Sequence, residues 1–384
     1  MNITENVINK GYILPSAAFS LPRNRIGFYK HINKPPAAGD VIYGKITRVG
    51  QHSNLENVSG RIHTIHDGTK TLFVFGNRYA PDFFEGIVPE QMITEVDLLA
   101  RSGLIGIVKA KNSAMKDPTR VKVLGYVCDH EGTVLNTRNF SRIKPKALIK
   151  RYPRAKMILI CGTSMNSGKS TAASACCWVL TTMGYNVRAS KVTGTASLQD
   201  ILHMNDAGAK IYADFTYLGY PSTYLLPEED VMNIFNQLDL KYANNPGNFW
   251  VVEFADGINQ RETAMLLESP EIKSRIHKLV FCATDAFGAV GGLKTLRDRF
   301  GLTPDAISGI CSSSPLHVRE LKEVSDVPVF NSAEPDIGIL SEILLLSNGK
   351  VNIKRNNEIN RNNENSRKTK RNPRPAGRRK TVLC

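Results

Sequence analysis

The residues Gly162-Thr163-Ser164-Met165-Asn166-Ser167-Gly168-Lys169-Ser170-Thr171 combine the side chains needed to hold a polyphosphate. A glycine at 168 lets the backbone curl closely round an anion, because a Cβ there would block the approach. Free N–H groups of such a loop, and of a helix that starts beside it, point at the anion. Lys169 supplies a mobile positive charge for the β and γ phosphates, and the Ser170 hydroxyl is placed to ligate Mg²⁺. The spacing is G-x₅-G-K-S, one residue longer than the usual G-x₄-G-K-[ST], with Thr163 where that pattern has glycine. The flanking sequence supplies the elements that must position the loop. Residues 157–161 form an apolar run of the kind found in buried parallel strands. A helical pattern then runs to Gly184, with Ala172, Ala175, Cys176, Val179 and Met183 on one face. Strand, Gly-Lys-Ser loop and helix in this order are the parts of a phosphate-binding P-loop, whose ligands would be ATP or GTP with Mg²⁺.

Other chemical groups fall at predicted strand ends. Residues 248–257 read as an apolar strand closing on Glu253, with Asp256 as a second candidate. A carboxylate at that point downstream of a P-loop is what a Walker B acid must be. Residues 186–195 read as another strand whose C-terminal end places Lys191, Thr193 and Thr195 near the phosphates or the acceptor. Asp200, Asp206 and Asp214 follow in a polar, helix-like stretch. The run 214–224 is rich in tyrosine and hydroxyls and suits a substrate loop. Two more strand–helix units, from 278 and from 305, and a helix over 337–346 complete an alternating pattern. The expected fold class is α/β, a doubly wound and mainly parallel sheet.

The N-terminal third reads differently. After a lead-in over 1–36, short alternating or apolar segments at 41–49, 61–65, 71–75, 104–108 and 121–127 predict a small β-barrel or sandwich over 37–137. His66-Asp-Gly-Thr signals a hairpin between two of them, and only 89–101 reads as a helix. The stretch 75–82 offers Asn77, Arg78 and Tyr79 either as a recognition loop or, more simply, as a structural turn. His52, His63 and His66 lack ligand spacing. A basic connector over 138–155 leads to the P-loop region, 156–348, and a basic tail, 349–384, closes the chain.

Charge is unevenly spread. The net charge is +15, and from Lys350 onward twelve Lys/Arg stand against two Glu, so the tail carries ten of those charges. Its Asn, Arg and Lys cannot bury enough surface to offset ordering entropy, which predicts a disordered arm open to nucleic acid or an acidic partner. No Asp or Glu occurs over 132–199, which predicts a positive field round the P-loop. Seven cysteines show no C-x-x-C spacing; five of them sit in or beside apolar runs and read as buried hydrophobes, which predicts a reducing cytoplasm and no zinc site. Neither a signal peptide nor a membrane-spanning run is recognisable.

The region 156–331 resembles the dethiobiotin synthetase group of P-loop proteins, which is related to cobyrinate amidases and MinD-type ATPases. Gly162-Thr-Ser-Met-Asn-Ser-Gly-Lys-Ser is similar to that group's G-T-D-x-x-x-G-K-T loop, including the extra residue between glycines. Ser190-Lys191-Val-Thr-Gly194 resembles its K-P-V-x-x-G, and Val252-Glu253-Phe-Ala-Asp-Gly257 its V-E-G-A-G-G. Ser164, Val192, Phe254 and Asp256 depart from the pattern, and the β-rich region and tail have no counterpart. The resemblance implies a Mg-ATP enzyme that phosphorylates or otherwise activates a small acid or amine. It also implies phosphoryl stabilisation by Lys169 and Lys191, metal held by Ser170 and Glu253 with Asp200 or Asp206, and a homodimer. Two other classes fit the residues: a polynucleotide 5′-hydroxyl kinase or other RNA-associated NTPase, and a nucleotide-gated switch that docks a partner.

Overall fold

The structure, a computed structural model, describes residues 6–144 and 149–346. Both regions discussed below belong to one compact unit, Met1–Leu344. The tail over 349–384, expected to be disordered and open to polyanions, lies outside the described residues.

The first region carries strands β1 (Asn6–Val7), β2 (Phe28–Lys30), β3 (Val41–Arg48), β4 (Asn54–Glu56), β5 (Ile62–Thr64), β6 (Lys70–Phe75), β7 (Phe84–Ile87), β8 (Glu95–Ala100), β9 (Leu104–Lys111) and β10 (Thr119–Cys128). The pairings β10–β3, β3–β6, β6–β9, β9–β8 and β8–β10 follow one another round a closed ring of five strands. All are antiparallel except β6–β9, which is parallel. Alternate residues of these strands enter two cores. Ile42, Ile46, Phe73 and Phe75 meet Val96, Leu98 and Ile105 in one. Val41, Tyr43, Leu72 and Val74 meet Leu14, Ala17 and Leu21 of the lead-in in the other. Burial on both faces explains why the strands read as nearly continuous apolar runs.

Two expectations fail here. The helix expected over 89–101 is absent, and its second half is β8, whose Val96 and Leu98 point into one core while Leu99 points into the other. Alternation, combined with pairing to β9 and β10, overrides the helical spacing. The His66–Thr69 turn exists, closed by Thr69 N–H to the His66 carbonyl at 3.0 Å. It does not join a hairpin, however, because β5 pairs with β4 and β6 pairs with β3.

The second region is a parallel six-stranded sheet of order β13-β12-β14-β11-β15-β16. Its strands are β11 (Lys156–Gly162), β12 (Val187–Lys191), β13 (Ile211–Asp214), β14 (Phe249–Glu253), β15 (Ile276–Cys282) and β16 (Ala306–Ser308). The helices are α1 (Lys169–Thr182), α2 (Leu198–Asp206), α3 (Glu228–Tyr242), α4 (Arg261–Glu268), α5 (Pro270–Arg275), α6 (Ala286–Phe300), α7 (Pro315–Val324) and α8 (Ile337–Leu345). Central β11 sends Met157, Leu159 and Cys161 to a core with Trp250, Val252, Leu279 and Phe281. Its other face, Ile158 and Ile160, is equally buried. The strand order makes β11 the middle of the sheet and brings the ends of β11, β12 and β14 together. No helix among the described residues is long and apolar enough to cross a membrane.

The described parts of the basic connector, 138–144 and 149–155, are docked on the second region. Arg138 pairs with Asp230 at 3.0 Å, and Lys150 and Arg154 both pair with Asp239 of α3. These cations meet carboxylates of the chain itself.

Candidate functional site

The P-loop lies at the C-terminal end of β11 and runs into α1. Gly168 has φ +92°, where a side chain is strained, and a Cβ there would stand 2.7 Å from Gly309 Cα. Gly257 lies as close on the other side, since a Cβ on it would approach the Thr163 carbonyl to 2.3 Å. The loop is therefore wedged between the turn after β16 and the turn after β14. Backbone bonds fix both ends: Thr163 N–H donates to the Cys282 carbonyl at 2.9 Å, and Ile310 N–H to that of Ser167 at 3.2 Å. Asn166, at φ 58°, sits at the outer bend and donates to Asp82 of the first region at 2.6 Å.

Inside the bend, Lys169 is buried and donates to the Ser164 carbonyl at 2.6 Å. Ser170 Oγ donates to Glu253 Oε1 at 3.3 Å. Glu253 Oε2 is buried without a hydrogen-bond partner. Burial holds the Glu253 carboxyl above its ordinary range, against the pull of Lys191. Lys191, at the end of β12, pairs with Asp200 and lies 3.8 Å from Glu253 Oε1. Burial works against its ammonium, but Asp200 and Glu253 outweigh that and hold it charged above the usual lysine range. Asp256 completes the acidic group, its carboxyl raised by burial and opposed by Lys169 and Lys191.

Asp200 is positioned from the other region. Glu56 of β4 accepts from Leu198 N–H at 3.0 Å and from Gln199 N–H at 3.3 Å, so a buried carboxylate from the first region satisfies the start of α2. A negative group at a helix N-terminus is favourable. That contact orients the first turn of α2, and with it Asp200, toward Lys191.

These residues line a cavity of about 630 Å³. Met165, Asn166, Gly168, Lys169, Ser170, Thr171, Lys191, Asp200, Glu253 and Asp256 all border it. Asp206 does not. It lies at the far end of α2, six residues and about 9 Å of helix rise from Asp200, and is exposed. Asp214 is also apart, buried at the end of β13, where it accepts from Thr216 N–H at 2.9 Å. Thr193 has a packing contact, accepting from Ala255 N–H at 3.0 Å, whereas Thr195 borders the cavity. The positive field expected from the acid-free window is offset by Asp82, Asp200, Glu253 and Asp256.

The opposite wall comes from the first region: His52, Arg78, Tyr79, Phe83 and Arg101. Arg78 and Tyr79 belong to the stretch singled out at 75–82; His52 and Arg101 carry no local signal. Burial and the Arg78 charge push His52 down to about 3, so its ring is neutral.

Among the described residues, no group of three or more His, Cys, Asp or Glu could hold a metal ion. Mg²⁺ needs no such group, since one carboxylate, a hydroxyl, waters and substrate phosphates suffice. The Ser170 hydroxyl beside an unpartnered Glu253 oxygen fits it.

No protein-family model and no curated protein matches the chain. Among solved structures it is similar to the signal recognition particle receptor FtsY from Elizabethkingia anophelis in complex with GDP, at 11% identity and TM-score 0.35, over 55% of this chain and 70% of that one. A second FtsY structure from the same organism gives 10% identity and TM-score 0.34, over 52% of this chain and 64% of that one. At these scores neither likeness bears on the site.

Proposed function

We propose that the cavity binds a nucleoside triphosphate with Mg²⁺ and uses it to phosphorylate or activate a small acid or amine, as in dethiobiotin synthetase-like enzymes. The observation that carries this reading is the Lys169–Ser170 turn facing Glu253 at the C-terminal ends of three parallel strands, where open α/β sheets place their ligands. Lys169 exchanges the Ser164 carbonyl for phosphate oxygens. Ser170 and Glu253 hold the metal, with Asp200 nearby, and the metal neutralises charge on the phosphates. Lys191 is held charged and fixed by Asp200, ready to stabilise negative charge that develops on the transferred group. Asp256 and the first-region wall face the space beyond the phosphates, where an acceptor would sit.

The test is the fate of the γ-phosphate. Purified protein with Mg²⁺ and γ-labelled ATP or GTP is incubated alone, with a small-metabolite extract, or with RNA. Label or triphosphate consumption that depends on a small metabolite supports the reading. Label on RNA ends would replace it with the polynucleotide kinase, and phosphate release requiring a protein partner would replace it with the switch.

A further inference from the structure

Buried charges in folded proteins are normally paired, because an uncompensated ion out of water is costly. Arg78 forms no ion pair among the described residues although its relative exposure is 5%, and Asp256 acts on its charge only through space. One amino group, Nη1, donates to the Leu99 carbonyl, and His52 Nε2 lies 3.0 Å from Nη1 and 2.9 Å from the same carbonyl. Phe83 lies under the guanidinium, 5.2 Å from its carbon to the ring centroid. Those contacts fix the plane of the side chain. Nε is buried with no partner, and no hydrogen bond is formed by Nη2. Nε and Nη2 form the edge that takes a planar anion with two parallel hydrogen bonds; Nη2 is the atom open to a ligand, and Nε, which has no accessible surface, joins when its cover shifts.

We infer that Arg78 anchors the carboxylate of a small-molecule acceptor in the half of the cavity built by the N-terminal region. The cavity that Arg78 borders also holds Lys169, Ser170, Lys191 and Asp256, so an acid bound on Arg78 shares one chamber with the phosphate loop. A monovalent carboxylate suits the place better than a second phosphate group. Glu253, Asp256 and Asp200 already border the same space, and a dianion would meet their repulsion more strongly. Neutral His52 adds no competing charge beside Nη1, and Tyr79 with Phe83 supplies an aromatic wall for the rest of the acceptor. A side chain that reads in the sequence as a turn arginine is thereby a specificity residue. The acceptor role rests on the proposed nucleotide site; the carboxylate subsite itself does not.

The probe is butyrate, a monocarboxylate, with neutral butyramide of the same shape as its control. Each is titrated calorimetrically into the full chain, with and without saturating Mg²⁺ and a non-hydrolysable ATP analogue. Butyrate is expected to bind the loaded protein at least tenfold more tightly than butyramide. Arg78→Gln is expected to lose that discrimination while its affinity for the analogue changes less than threefold. Arg78→Lys, which keeps the charge but not the fork, should weaken butyrate at least fivefold, and it serves if the glutamine variant fails to fold. Equal binding of butyrate and butyramide by the wild type would overturn the inference, and so would full butyrate binding by a folded Arg78→Lys or Arg78→Gln. A tenfold loss of analogue affinity in either variant would also overturn it, assigning Arg78 to the nucleotide phosphates instead. If the wild type binds no nucleotide but still binds butyrate through Arg78, the acceptor role falls with the nucleotide site and the carboxylate subsite stands.

Discussion

Two clusters of buried charge lie at opposite ends of the parallel sheet, and they are built to opposite rules. At the N-terminal ends of the strands, Asp239 is fully buried and surrounded by Arg154, Arg275 and Lys150 at 3.2, 3.1 and 3.0 Å. The guanidinium groups there are supplied with further acceptors: Arg154 also donates to the carbonyls of Asp239 and Arg151, and Arg275 to that of Ala155. At the C-terminal ends, in the cavity, a Glu253 oxygen and the Arg78 Nε have no partner, and Lys169 meets only a carbonyl. The first cluster resembles a structural staple, holding α3 and the connector to the strand starts. The second leaves donors and acceptors open where a ligand can complete them. Burial alone does not separate the two; contact with a counter-ion does, since even Asp239 Oδ2, which accepts no hydrogen bond, has the Lys150 ammonium at 3.0 Å.

The largest effect that would sharpen this contrast is on stability. Asp239→Ala leaves two guanidinium groups buried without their carboxylate and is expected to cost about 3–5 kcal/mol in urea unfolding, with nucleotide affinity unchanged in the folded fraction. A loss under about 1 kcal/mol would deny the staple.

Asp214 is an intermediate case, a buried carboxylate with hydrogen bonds from Thr216 but one oxygen unpartnered. Burial raises its pKa from 3.8 to about 6. Because the folded state then holds the proton more tightly than the unfolded chain, Asp214 favours folding below pH 4. That contribution is lost as pH rises through about 6, by roughly 3 kcal/mol at most. Asp214→Asn should flatten stability between pH 4 and 7, measured by urea midpoints; an unchanged slope would contradict the assignment.

In the cavity the order reverses. Glu253→Gln is expected to leave stability within about 1 kcal/mol, since one carboxylate oxygen has no partner and the other has only long contacts, to Ser170 at 3.3 Å and Lys191 at 3.8 Å. The same variant should reduce Mg²⁺-dependent turnover ~10²-fold, read in a steady-state assay. Unfolding of this variant instead of inactivation would make Glu253 a second staple. The smallest effect is expected at exposed Asp206, where Asn should alter turnover less than about twofold and stability less than about 0.5 kcal/mol.

The phosphate loop was legible in the sequence because its parts are consecutive: β11, the glycine turn and the start of α1 need no distant partner to be recognised. Lys191 and Glu253 were legible for a related reason, since a parallel sheet aligns strand ends and an ionic residue closing an apolar strand falls at that edge. Asp200 and Asp206 looked equivalent because composition does not say which end of a helix faces the site; Glu56, from another region, decides that. Arg78 and His52 come to border the P-loop cavity only through the packing of the first region; the stretch 75–82 leaves Arg78 between a recognition loop and a structural turn, and nothing local marks His52. The misread segment at β8 fails for the same reason, as cross-strand neighbours chose strand over helix there.

The phosphate site depends most directly on Lys169. Binding of Mg-ATP and Mg-GTP to the wild type and to Lys169→Ala, by calorimetry at one ionic strength, decides it. At least one triphosphate should bind the wild type, with the variant weakened about 100-fold or more, as loss of a charge-assisted phosphate contact in a buried loop requires. Equal affinity in the two proteins, with the variant folded, would contradict the phosphate-site reading of the cavity.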